Sequence, residues 1–154
     1  MMGLHIRKAR HDDVETLDAL AYRAKASHGY DEAFMAACRD EMAIAVSTLS
    51  EREMWVAESV ACGIAGFFGL WPPEDGVAEV DPFYVDPRFH SRGIGRALWM
   101  RLEQRAKLSG ATKIGLDSYP HAVRFYERMG CVITGQSPSG SIPGRMLPRL
   151  EKVI

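Results

Sequence analysis

The stretch 77–98, VAEVDPFYVDPRFHSRGIGRAL, changes character halfway along. Its first nine residues are rich in β-branched and aromatic types and read as a strand. Pro82 falls inside that strand. It has no N–H to give a ladder, so it belongs at an edge or a bulge, and a bulge is the favoured reading. The remainder is a loop leading to Gly93 and Gly95, after which Ile94, Ala97, Leu98, Leu102 and Ala106 recur on one helical face. A helix start carries unpaired N–H groups and about half a positive charge. Glycines there let an anion approach the backbone, and Arg88, Arg92 and Arg96 add charge and donors. The segment therefore reads as a strand, a loop and an anion cradle. The plain alternative is a glycine-bearing turn among solvated arginines.

Working outward, LHIRKAR alternates like a strand. DDVETLDALAYRAKA places Val14, Leu17, Ala21 and Ala24 at helical spacing, with Asp12 and Glu15 resembling a capping box. SHG breaks the chain before a second helix, YDEAFMAACRDEMAIAV. EMWVAES and IAGFFGL form a hairpin, and WPPEDG is a loop. Beyond the glycines, Gly110 ends the helix. TKIGLDS is a strand, PHAVRFYERMG a short helix opened by Pro120 and stopped by Gly130, and CVITG and RMLPRLEKVI are strands around the turn-rich QSPSGSIPG. The order is β-α-α-β-β-β-α-β-α-β-β. Strands and helices alternate only in the second half, so the fold class is α/β in the sense of a mixed α+β sheet.

The chain has 154 residues, a net charge of −1 and no internal repeat or linker, which predicts one domain over 1–154. Near-neutral charge gives no field for nucleic acid or an anionic membrane. No apolar run nears the ~18–20 residues of a membrane span. The start of the chain lacks a secretory h-region, and Cys38, Cys62 and Cys131 form neither a disulfide framework nor a zinc pattern. A cytoplasmic location is expected. His5, His11, His28, His90 and His121 have no ligand spacing, so no metal is expected.

Two familiar nucleotide motifs fail. The third glycine of GxGxxG would fall at Leu98, and no GK[ST] is present. What matches is the acetyl-CoA signature of the GNAT superfamily of N-acetyltransferases, Gln/Arg-x-x-Gly-x-Gly/Ala after a strand and a short loop. Here it reads HSRGIG after FYVDP. AVRFYERMGCVITG, 122–135, also resembles that family's last conserved block, a short helix with Phe-Tyr, then Gly, then a strand. The chain departs from the family at His90, at Gly130-Cys131 and at Tyr119.

The resemblance implies a GNAT-like acyl-CoA N-acyltransferase fold and acetyl-CoA as acyl donor. It implies that the amides of Arg92, Gly93, Ile94, Gly95, Arg96 and Ala97 hold the pyrophosphate, with Arg88 and His90 beside them. Main-chain groups of Phe83, Tyr84 and Val85 would pair with the pantetheine arm like an added strand. Ala122, Phe125 and Tyr126 would close the cofactor side. Acetyl transfer to an amine needs a base, because an alkyl ammonium has a pKa near ~10 and is not nucleophilic. Glu79 is the first candidate base, and Asp81, two residues on, the second. Tyr126 is the candidate acid for the departing thiolate, and the Val85 N–H the candidate oxyanion donor. Each has a bland reading: solvent-facing strand carboxylates and a core tyrosine. Cys131 reads as a buried strand cysteine, so direct transfer in a ternary complex is expected.

Family acceptor pockets lie at the first two helices and the loop between the last strands. Tyr22, His28 and Tyr30 are the candidate acceptor residues there. No acidic run suits a basic peptide tail, so a small-molecule primary amine comes first. Peptide or protein acetylation is the alternative, as is a non-catalytic acyl-CoA-binding sensor. An ATP- or NAD-binding protein using the same loop is a further rival. A homodimer through the exposed strands of the second half is left open.

Overall fold

A computed structural model describes residues 3–154. Its elements are β1 (Leu4–Lys8), α1 (Val14–Ala26), α2 (Glu32–Met42), α3 (Val46–Glu51), β2 (Glu53–Ser59), β3 (Gly63–Leu70), β4 (Val77–Val85), α4 (Ile94–Leu108), β5 (Lys113–Asp117), α5 (Val123–Arg128), β6 (Val132–Pro138) and β7 (Met146–Val153). Among the described residues the strands form one seven-stranded sheet in the order β1-β2-β3-β4-β5-β7-β6. The β4–β5 pair is parallel and every other pair antiparallel, as a mixed sheet requires.

Alternation along β2 sends Trp55 and Ala57 to one face and Met54 and Val56 to the other. On the first face they meet the apolar stripe of α4, Ile94, Leu98, Leu102 and Ala106, with Trp99 and Tyr126. On the second, Leu17, Leu20, Ala21 and Ala24 of α1 pack with Val56, Phe67 and Tyr84. Each fully buried Leu or Phe in such a layer contributes about 1.5–3 kcal/mol.

Two local expectations change. The second helix does not run through Ala45. It ends at Met42, Ala43 turns extended (φ −62°, ψ 135°), and the separate α3 begins at Val46. No glycine or proline marks this break. It is held from a distance, by the buried Ile44 side chain and by Asp18, which accepts the Ile44 N–H at 2.9 Å. The capping box of Asp12 and Glu15 is also replaced. The chain enters α1 through a 3-10 turn at His11–Asp13, and Asp13 accepts the Arg10 N–H at 2.7 Å while pairing with Arg7 at 2.9 Å.

The bulge expected at Pro82 is present. Phe68 faces Phe83 and Leu70 faces Val80, so the single Gly69 opposes both Asp81 and Pro82. A Cβ on Gly69 would stand 2.5 Å from the Asp81 carbonyl oxygen, so glycine is what lets β3 approach the bulge.

Candidate active site

The site begins where two strands part. β4 and β5 pair only from Val77–Lys113 to Glu79–Gly115. Past Glu79 the bulge carries β4 away from β5, which leaves a cleft of about 230 Å³ between them. Its walls include Glu79, Asp81, Phe83, Tyr84, Tyr119 and Tyr126.

Beyond Glu79 no strand among the described residues pairs with the edge of β4 facing this opening. On the other side, Tyr84 and Phe67 face each other and the Asp86 N–H reaches the Ala65 carbonyl at 2.8 Å. Antiparallel alternation therefore turns the N–H and C=O of Phe83 and Val85 toward the opening. An extended chain of amides lying there finds the partners of a strand edge.

The glycine loop sits at the end of this edge. Gly93 is left-handed (φ 77°) and caps α4, and Ser91 is also left-handed (φ 63°). The first helical bond runs from Ala97 N–H to Gly93 C=O, so the amides of Ile94, Gly95 and Arg96 stay unpaired within the helix. Gly93 has open space where a Cβ would be, which suits a close-lying anion. Gly95 differs. A Cβ there would lie 3.0 Å from the Phe125 ring, so this glycine seats α5 against α4 rather than clearing the anion path. Arg92 and Arg96 are exposed beside the loop, and so is His90. Arg88 is turned away. Its guanidinium grips Asp86 at 2.8 Å, and Arg23 of α1 holds the same carboxylate at 2.7 Å. The Asp86 side chain is fully buried; burial opposes its ionisation, but the two arginines and the Arg88 N–H outweigh it and hold its carboxyl well below the usual range.

The two candidate bases occupy different environments. Glu79 is taken by Arg149 of β7, whose Nη1 donates to its Oε2 at 2.5 Å and to Asp117 at 3.3 Å. Asp81 has a looser partner, Arg52, at 3.7 Å. The surrounding protein raises the Asp81 carboxyl above the ordinary range, Arg52 opposes that, and Glu41, Glu79 and Asp117 add to it. Its side chain is still 68% exposed, which limits the rise.

Tyr126 is buried beneath Phe83, Trp99 and Phe125, with ring centroids 5.2–5.9 Å away. Burial pushes its phenol well up, so it is protonated at neutral pH. Ala122 and Tyr126 line the cleft, while Phe125 packs on Gly95. The Cys131 thiol is pushed up to about 11, first by burial, and is no thiolate at neutral pH.

The acceptor candidates divide. Tyr22 lies outside the cleft, in a separate groove between α1 and α2 under Arg39. His28 stacks on His121 at 3.4 Å, and Tyr30 on Phe34 at 4.1 Å. Burial is the main cause that lowers the pKa of both histidines, His121 to about 4. These rings border Tyr119, which stacks on His121 and shares a 2.8 Å hydrogen bond with Tyr84. The loop after β6 closes over this end: Ser141 bonds Glu41 of α2, and Arg145 donates to Tyr30 at 3.0 Å.

The sequence reading missed Arg149, Arg52, Lys25 and Arg145. For Lys25 a signal existed. Leu17, Ala21 and Lys25 follow at i+4 spacing, so the buried stripe of α1 ends in a lysine. The arginines carry no such mark, since their partners lie far along the chain. Among the described residues no cluster of three metal-ligating side chains occurs, and no helix is long and apolar enough to cross a membrane.

Residues 12–131 match the model of the acetyltransferase (GNAT) family. A peptidyl-lysine N-acetyltransferase, YjaB of Salmonella typhimurium, is 30% identical over 99% of both chains. Among solved structures, a GCN5-related N-acetyltransferase from Rhodopseudomonas palustris superposes with a TM-score of 0.81 at 22% identity, covering 100% of this chain and 98% of that one. The PaiA N-acetyltransferase of Thermoplasma acidophilum, in complex with coenzyme A, gives 0.77 at 21% identity over 99% and 100%. Parted strands, a free strand edge and an open glycine-capped helix start thus occur in a chain that belongs to the GNAT family of N-acetyltransferases.

Proposed function

We propose that this chain transfers an acetyl group from acetyl-CoA to the primary amine of a small molecule, directly, with both substrates bound together. The carrying observation is the cleft that opens where β4 leaves β5, with a free strand edge and helix start on one side and a roofed pocket on the other. Acetyl-CoA supplies the activated acetyl group. The outward amides of Phe83 and Val85 would hold its arm, and the amides from Gly93 to Ala97, with Arg92, Arg96 and His90, its phosphates.

The protein must take a proton from the ammonium and give one to the leaving thiolate. Asp81 is the proton acceptor in this reading, because it lines the cleft with only the loose Arg52 contact while Glu79 is bonded to Arg149; the raised proton affinity of Asp81, limited by its exposure, points the same way. Glu79 is bonded to Arg149 through Oε2, which leaves its Oε1 to hold the ammonium end of the acceptor. The outward N–H of Val85 faces the charge that develops on the carbonyl oxygen. Tyr126 is the donor to sulfur: its phenol keeps its proton at neutral pH and lines the cleft. The high pKa of Cys131 speaks against an acetyl-cysteine route.

The roof made by Ser141 and Arg145 over α2 favours a small acceptor over an extended peptide. A lysine side chain of a peptide is the second reading, favoured by the name of the Salmonella relative. The test begins with thermal unfolding in acetyl-CoA, ATP or NAD. A ligand at a hundred times its Kd adds about 2.7 kcal/mol, or roughly 5–10 °C for a domain of this size. A shift with acetyl-CoA alone, followed by thiol release with small amines exceeding that with lysine peptides, supports the proposal. No shift at millimolar acetyl-CoA overturns it, and release only with peptides replaces it by the second reading.

A further inference from the structure

Lys25 is a buried cation with no anion beside it among the described residues. Its side chain lines the cleft while the residue is only 5% exposed. Its Nζ makes one hydrogen bond, to the Tyr119 hydroxyl at 3.1 Å, and lies 4.2 Å from the centre of that ring. Phe34 and Tyr30 stand further off, at 5.5 and 5.9 Å. An ammonium has three N–H donors, so two are left over. Among the described residues no carboxylate lies within ion-pair distance of it. Arg145, on the same wall, repeats the pattern. It donates to Tyr30 and stacks over Phe34 at 4.9 Å, again with no carboxylate partner among the described residues.

Aromatic faces stabilise a cation but leave its charge uncompensated. Burying one without a counter-ion is costly, and the cost falls when a bound anion completes the pair. The carboxylates of the cleft are elsewhere. Glu79 and Asp117 hold Arg149, Asp81 faces Arg52, and Glu41 bonds Ser141. The cleft is therefore two-ended, acidic where β4 and β5 part and basic at Lys25 and Arg145.

We propose that Lys25 and Arg145 form an oxyanion subsite for the acceptor, so that the substrate is a small amine whose far end carries a carboxylate or phosphate. This rests on the acetyltransfer reading above and narrows its substrate class. The ammonium lies toward Asp81 and Glu79, and the anion lies between the Lys25 ammonium and the Arg145 fork. The hydrogen-bonded Tyr84–Tyr119 pair positions Lys25 through the Tyr119 hydroxyl.

The test is calorimetric binding to the protein, alone and saturated with coenzyme A, beside acetyl-transfer rates with the same compounds. The probes are 4-aminobutanoate against 4-aminobutanamide, and O-phosphoethanolamine against ethanolamine. Each anionic member is expected to bind at least tenfold more tightly than its neutral twin. The larger of the two ratios identifies carboxylate or phosphate as the natural group. Lys25→Met and Arg145→Met are each expected to bring the ratio below threefold while leaving the KM for acetyl-CoA unchanged. Arg145 is on the surface loop, so its variant keeps the test open should Lys25→Met fold poorly. Equal binding of the charged and neutral twins overturns the subsite. So does a rise in the KM for acetyl-CoA in the variants, which would assign these cations to the cofactor. Anion-selective binding without any acetyl transfer would keep the subsite and sink the acetyltransfer reading, so the two fail separately.

Discussion

Arg149 lies across the backbone of Gly115, where a Cβ would collide with its guanidinium, and reaches Glu79 on the far side at 2.5 Å. A residue of β7 thereby spans β5 to fix a residue of β4, and glycine is what leaves the path open. The same guanidinium meets Asp117 at 3.3 Å and Glu151 at 3.6 Å.

Arg149→Met leaves three carboxylates without their shared cation. Because these groups are partly exposed, the expected loss is about 1–2 kcal/mol, or roughly 2–8 °C in Tm. The unpaired charge of Glu79 then disfavours ionised Asp81, so the acidic limb of the kcat/KM profile moves to higher pH. Urea unfolding and a pH–rate series check both parts. An unmoved limb would show that the bridge is only a staple.

Asp81→Asn is expected to lower kcat about 10²-fold or more, and Glu79→Gln to raise the KM of the amine more than it lowers kcat. The sign for stability is opposite to that for activity. A carboxyl whose pKa is raised on folding contributes stability below its unfolded value, and that stability is lost as pH rises through the folded one. At pH 7 the Asn variant is therefore at least as stable as the parent. Steady-state kinetics and a melting curve on the same sample decide it, and a destabilised, fully active Asn variant would move the base role back to Glu79.

Tyr126→Phe removes only a hydroxyl from a ring that keeps its packing on Phe83, Trp99 and Phe125. The fold should hold within about 0.5–1 kcal/mol, since among the described residues its hydroxyl has no hydrogen bond to lose. Turnover should fall by about 10²-fold with acetyl-CoA affinity unchanged. Equal losses in both would mark Tyr126 as a packing residue.

The two glycines of the loop should respond differently. Gly93→Ala strains a left-handed residue and costs about 1 kcal/mol while leaving the space beside it open. Gly95→Ala meets Phe125 and pushes α5 from α4, so it should weaken acetyl-CoA binding more than Gly93→Ala does. Calorimetry with the two variants reads the order directly, and the reverse order would make Gly93 the anion contact that matters.

Local pattern made much of this molecule readable. The β4 strand, the bulge at Pro82, the Gly93 cap and the short helix holding Tyr126 are each encoded within a few residues of where they act. What was hidden depends on contacts between distant residues. The α2–α3 break follows from Asp18 meeting Ile44. The different settings of Glu79 and Asp81 come from Arg149 and Arg52, neither of which is near in sequence. Tyr22 was legible as an α1 residue but not as one on the face turned from the cleft, because a tyrosine suits either side.

The brief pairing of β4 with β5 has a further consequence, for how the sheet comes apart. β1 to β4 are neighbours in chain order, and β5 to β7 make a second ladder of their own; three residue pairs join the two. Hairpin neighbours assemble early because little chain must be closed to form them, whereas this seam waits on the whole α4 crossover. The centre of a sheet is ordinarily its most protected part, but here it is the line of least cohesion. Amide exchange should be faster along Val77–Glu79 and Lys113–Gly115 than in the β2–β3 hairpin, although the seam holds the buried Ala78, Ile114 and Gly115.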